Sequence, residues 1–190
     1  MNLPQLFEMQ AVLDADILKR HPVQSGEDRL SKKILALLVE LGECLNEWRG
    51  FKFWSNRQIP REPEYNWKPS KNGESLIAEP NDYKSYPLLE EYVDCLHFIL
   101  SIGLELGFEN VWINEATIKR LSKENDVMAN FEVLYAFTVE FGKKRTFNWY
   151  DSIFERFIVL GYSLGFTWEK IELAYYDKNK INLKRQATGY

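Results

Sequence analysis

The chain is poor in the residues that build scaffolds by cross-linking. Two cysteines, Cys44 and Cys95, and two histidines, His21 and His97, are all that its 190 residues contain. They are too few for the usual Cys/His zinc cage, and a disulfide framework needs more cysteines in a shorter chain. Both cysteines read as small buried core residues. Each directly follows an acid, Glu43 or Asp94, so the two thiols are near neighbours if their helices are adjacent. No apolar run approaches the ~20 residues of a membrane-spanning helix. The N-terminus, Met1-Asn-Leu-Pro-Gln5, lacks the basic and apolar regions of a signal peptide, and the cytoplasm is the expected compartment. Basic residues are outnumbered, 24 Lys and Arg against 28 Asp and Glu for a net charge of -4. That balance leaves no electrostatic footprint for nucleic acid. No stretch alternates convincingly with period two, which removes sheet as the organising element, and no internal repeat is evident.

What is present is helical periodicity. A hydrophobic fraction of 45% in 22.5 kDa is enough for one all-α domain spanning the whole chain, 1–190. Asn2 and Pro4 mark a helix start, and Leu3, Leu6, Phe7, Gln10, Leu13, Asp14 and Ile17 follow a helical stripe with two polar residues on it. A second helix is expected from near Asp28 to Trp48, stopped by Arg49-Gly50, and a third from Pro87 to about Gly107. Shorter or later helices are expected over about 109–121, 126–141, 147–164 with Asn148 as a cap, and 168–176 capped by Thr167. Between about 55 and 86 the pattern breaks. Pro60, Pro63, Pro69, Pro80 and Pro87 are five of the seven prolines in the chain, and a long segment of this kind is a lid or interface arm, or a disordered insert.

The pattern that carries chemistry is a pair of pairs. Glu40 and Glu43 are spaced i, i+3, and so are Glu91 and Asp94, which places each pair on one helix face. Such spacings are common on solvated helices. Here both lie in strongly apolar stretches, so the acids border faces that pack. Converging carboxylates repel one another and lose hydration. A divalent cation removes the conflict, and an all-oxygen donor set suits Mg²⁺, with Mn²⁺ as a substitute. Near the C-terminus, Lys178, Asn182 and Arg185 fall at i, i+4 and i+7 and share one face if the helix continues that far. Two cations and an amide suit phosphate oxygens. A solvated basic helix end, favoured by the macrodipole, explains the same residues without a ligand.

Four segments together resemble the dimeric all-α dUTPases, within the MazG-like all-α nucleoside triphosphate pyrophosphohydrolases. They are Met9-Gln10-Ala-Val-Leu13-Asp14; Glu40-Leu-Gly-Glu43-Cys-Leu-Asn46-Glu47-Trp-Arg-Gly-Phe-Lys52-Phe-Trp54-Ser55; Glu91-Tyr-Val-Asp94-Cys-Leu-His97-Phe; and Tyr176-Asp-Lys178-Asn179-Lys-Ile-Asn182-Leu-Lys-Arg185-Gln186-Ala-Thr-Gly189-Tyr190. The paired acids mark the superfamily, whereas the second segment's end and the tail are more specific. The resemblance implies a helical bundle with a carboxylate metal site between packed helices. It implies that Glu40, Glu43, Glu91 and Asp94 hold Mg²⁺, with Glu40 and Glu43 catalytic. Lys178, Asn182 and Arg185, with Lys52 beside them, would bind the phosphate chain, and Gln10, Asp14 and Trp54 would surround the nucleoside. It further implies dUTP and dUDP as substrates and a homodimer, with no nucleic-acid or membrane partner. Asp14 stands where the family often has Asn, and this departure keeps open a pyrophosphohydrolase for another nucleotide. Outside the enzyme class, a helical interaction module with solvated acids is the remaining reading. Glu47, one turn beyond Glu43, is a further candidate for the metal site, and His97, one turn beyond Asp94, reads as packing or support.

Overall fold

The structure is a computed structural model and describes residues 2–70, 75–78, 82–124 and 126–189. Tyr190 of the tail signature, and residues 71–74 and 79–81 of the proline-rich segment, lie outside the described residues. Seven helices are found among them: α1 Leu3–Arg20, α2 Arg29–Trp48, α3 Pro87–Leu106, α4 Glu115–Glu124, α5 Val127–Lys144, α6 Phe147–Ser163 and α7 Trp168–Thr188. The all-α expectation holds.

Local chemistry sets the helix boundaries. Pro4 and Pro87 sit in the first turns of α1 and α3, where the missing N–H costs nothing. Asp28 caps α2 by accepting from the Ser31 N–H at 3.0 Å, and its second oxygen accepts from the Arg145 guanidinium at 2.6 Å. Asp126 caps α5 through Ala129 N–H at 2.8 Å. Thr167 caps α7 as expected, whereas α6 is preceded by Thr146 rather than capped by Asn148. Gly107 ends α3 in the left-handed region, at φ 69°. The largest difference from expectation is α7, which continues through the tail to Thr188 rather than stopping at Tyr176.

The segment between α2 and α3 forms a narrow antiparallel ribbon. Its strands are β1 Glu64–Tyr65, β2 Lys68–Pro69, β3 Leu76–Ile77 and β4 Tyr83–Ser85, with β4 paired to β1 and β3 to β2. Rings in mutual contact, Tyr65, Tyr83, Tyr86 and Phe166, run from its base to the helices.

α3 is the spine of the molecule. It packs on α1, α2, α6 and α7 and is apolar on nearly every side, with Tyr92, Val93, Cys95, Leu96, Ile99, Leu100 and Ile102 fully buried; a helix of that kind belongs in a core. Its meeting with α6 is reciprocal. The Tyr92 hydroxyl donates to the Phe157 carbonyl of α6 at 2.9 Å, and the Tyr150 hydroxyl of α6 donates to the Ile99 carbonyl of α3 at 3.0 Å. Each tyrosine lies over a glycine of the facing helix, Tyr92 over Gly161 and Tyr150 over Gly103. Both helices therefore carry the same Tyr-x10-Gly spacing, a short repeat not recognised as one in the sequence. Cys44 and Cys95 are both buried, as expected, and each lies close enough to act on the other's thiol. Burial pushes the Cys95 thiol well up, which makes it unreactive.

Candidate active site

α2 and α3 pack along their lengths and bring the two acidic pairs together. One carboxylate oxygen each from Glu40, Glu91 and Asp94 lies within 4.8 Å of the other two. Glu43 is more exposed and stands outside this group of three, though its charge acts on both glutamates of the group. Burial, then the Asp94 and Glu43 charges, pushes Glu40 up to about 7. The same causes in the same order push Glu91 up to about 7. Burial also raises Asp94, opposed by the Lys178 ammonium, whose Nζ donates to Asp94 Oδ2 at 2.5 Å. The cluster thus already attracts a cation from the protein itself. Three converging carboxylate oxygens, held at a pKa cost and facing an ammonium, fit a hard divalent ion.

The cluster opens on a cavity of about 1120 Å³ walled by α1, α2, α3 and α7, ample for a nucleotide. Glu40 and Asp94 border it, as do Asn182 and Arg185 from α7. The extension of α7 therefore carries the tail residues to the carboxylates. Gln10 and Asp14 form the α1 wall beside His97 and Ser101 of α3. Their side chains are tightly bonded. Gln10 Nε2 donates to Asp14 Oδ1 at 2.7 Å, and Ser101 Oγ donates to Asp14 Oδ2 at 2.6 Å. Lys33 lies 3.8 Å from Asp14 and 2.7 Å from Glu105. On its other side Gln10 Oε1 meets His97 Nδ1 at 2.8 Å and accepts from the Tyr175 hydroxyl at 2.9 Å.

The remaining expected residues stand apart. Lys52 donates to Asn46 Oδ1 and lies over the Phe51 ring, and Trp54, 65% exposed, packs edge-on against Phe51 and Phe53. Neither lines the cavity. Glu47 is taken by Arg61 in a two-pronged pair at 2.7 and 2.9 Å. Ser101, Lys33 and Tyr175 were not anticipated. Ser101 lies seven residues beyond Asp94 on the same face of α3, a spacing visible in the sequence, whereas Lys33 and Tyr175 enter only through packing.

A helical protein with a carboxylate-lined, cation-attracting mouth on a nucleotide-sized cavity belongs to the class of all-α enzymes that act on phosphorylated small molecules with a bound metal. The dUTPase family model matches residues 2–66 and 79–190, and the chain belongs to that family. Its activity is that of a dUTP diphosphatase, the family implies a divalent cation, and no helix among the described residues is long and apolar enough to cross a membrane. Among curated proteins no match to the chain is found.

Proposed function

We propose that the chain hydrolyses dUTP to dUMP and pyrophosphate, and dUDP to dUMP and orthophosphate, in a Mg²⁺-dependent attack of water on the α-phosphorus. The observation that carries this reading is the meeting of Glu40, Glu91 and Asp94 beside a cavity that Glu40 and Asp94 border together with Asn182 and Arg185. Glu40, Glu91 and Asp94 would hold the ion, with Glu43 beside them. Bound Mg²⁺ would activate water and offset charge on the phosphates. Glu43 stands outside the three-oxygen group and is more exposed to solvent, which suits it to orient the attacking water and take its proton, in Glu40's stead. Lys178, released from Asp94 when a divalent ion takes its place, would turn to the phosphates together with Asn182 and Arg185 and stabilise the leaving group. Gln10 and Asp14 would face the nucleoside. Lys52 and Trp54, which lie off the cavity in a single chain, would reach it from the exposed aromatic cluster of a homodimer, and Mn²⁺ would substitute for Mg²⁺.

A chromatographic panel of dUTP, dUDP, dTTP, dCTP and UTP, with Mg²⁺ or with EDTA, tests this reading. Conversion of dUTP and dUDP to dUMP with Mg²⁺ alone, and much slower turnover of the others, is the expected result. Equal rates on dUTP and dCTP overturn the substrate assignment, and unchanged rates in EDTA overturn the metal.

A further inference from the structure

We propose that Asp14, acting through Gln10, fixes His97 as its Nδ1–H tautomer, and that the bare Nε2 of His97 is the acceptor for the 3′-hydroxyl of the substrate's sugar. This rests on the dUTP reading above. The chain of reasoning begins at Asp14. A carboxylate accepts hydrogen bonds, and Asp14 takes one from Ser101 Oγ and one from Gln10. Gln10 must therefore present its amide NH₂ to Asp14 and its oxygen to the opposite side. That oxygen meets both the Tyr175 hydroxyl and His97 Nδ1. An amide oxygen cannot donate, so both partners do, and the imidazole proton sits on Nδ1. Burial holds the His97 pKa down to about 3, so the ring carries one proton only. The lone pair of Nε2 is left facing out of the network.

Nε2 has no partner among the described residues, although His97 is only 6% exposed and lines the cavity. The ring is stacked on Tyr175 with centroids 4.3 Å apart, so it does not turn to find one. A buried acceptor without a donor is costly and marks the place where a ligand's donor belongs. The nucleoside of dUTP has two, N3–H of the base and the 3′-hydroxyl. Position along α3 separates them. His97 is one turn from Asp94, about 4.5 Å at the helical rise, and Ser101, which holds Asp14, is about 10.5 Å from it. With the α-phosphate at the carboxylates, the sugar falls at the level of His97 and the base at that of Asp14. The carboxylate at position 14 has a role in this arrangement. An amide at position 14 offers either face to Gln10 and leaves the histidine tautomer undetermined.

Two measurements test the proposal. Two-bond ¹⁵N–¹H correlation spectra of the intact protein read the tautomer directly, and His97→Phe assigns the signal, since His21 is the other histidine. Nε2 is expected unprotonated in the parent, with the Nε2–H form gaining population in Asp14→Asn; a parent protein in the Nε2–H form overturns the relay. In kinetics, the parent should use dUTP at least about tenfold better in kcat/KM than the 2′,3′-dideoxy analogue, because a site built around a substrate hydroxyl rejects its absence. His97→Phe, which retains the ring stack, should bring the two substrates to near parity by slowing dUTP. Equal use of both by the parent overturns the sugar contact, and a penalty seen instead with N3-methyl-dUTP that vanishes in His97→Phe moves the contact to the base and overturns it too. If the parent turns over no dUTP, the substrate reading fails, while the tautomer still stands or falls by the spectrum.

Discussion

Glu40 is held with its pKa raised from 4.5 to about 7, by burial first and then by Asp94, Glu43 and Glu91. A folded-state pKa above the unfolded one means that the folded protein binds the proton more tightly. Without metal, the resulting stability is present below pH 4.5 and is lost as pH rises through 7. Because Glu40 is only about half buried, solvent screening reduces the effect to roughly 1 kcal/mol. His97 works in the opposite direction: its pKa is lowered from 6.5 to about 3, so its contribution is present above 6.5 and declines as pH falls. Comparing the parent with Glu40→Gln cancels the histidine. In EDTA, urea midpoints of the parent should fall relative to those of the variant between about pH 5 and 8, and the variant should be the more stable above pH 7. Parallel profiles would mean that Glu40 is not under this electrostatic load. With Mg²⁺ present the parent should gain stability by ligand linkage and the variant much less, read as a shift in thermal midpoint.

Among the elements, the crossing of α3 and α6 is sensitive to an added methyl. A Cβ at Gly161 would meet the Tyr92 hydroxyl at 2.5 Å, with no flexible side chain to give way. Gly161→Ala should cost about 1–3 kcal/mol through overpacking, whereas alanine at Gly142 of α5, where the added methyl would meet Ile34 Cγ2 at an ordinary 3.6 Å, should cost little; denaturant titration separates the two. α7 is the element that brings phosphate chemistry to the metal site. Arg185→Ala should lower kcat/KM by about ten- to a hundredfold with little change in thermal midpoint, since it removes a charge-assisted contact from a surface position; an unchanged kcat/KM would remove Arg185 from the phosphate site. These elements also show what the sequence could and could not reveal. α2 and α3 were legible because their acids interrupt strong apolar stripes at helical spacing. The end of α7 was not, because beyond Tyr176 apolar residues are sparse, and the polar Asn179 and Lys178 are what turn inward there, Asn179 into the interior and Lys178 onto Asp94 of α3. Gln10 and Asp14 were legible as polar residues on an apolar stripe. Their bonds to His97 and Ser101 span 87 residues and exist only once α1 lies against α3. Tyr-x10-Gly acquires meaning only when two copies face each other.

At the scale of the whole molecule, several large apolar side chains remain outside the core. Phe53 is 84% exposed, Trp112 is 77% exposed, and Leu35 and Val39 share the outer face of α2. A second copy of the chain would cover such surface. Light scattering after gel filtration should give a mass of about twice 22.5 kDa, and a single-chain mass at micromolar concentration would count against the dimer. The reciprocal tyrosines between α3 and α6 have a mechanical consequence for this assembly. Sliding either helix by one residue would strand both hydroxyls, abandon both carbonyl acceptors and drive both rings off their glycines at once. The two helices are thereby indexed to one another like meshed teeth, and intermediate registers are excluded. α3 is thereby held in one position on α6, and Glu91, Asp94 and His97, spaced along it, form a fixed ruler on that wall of the site.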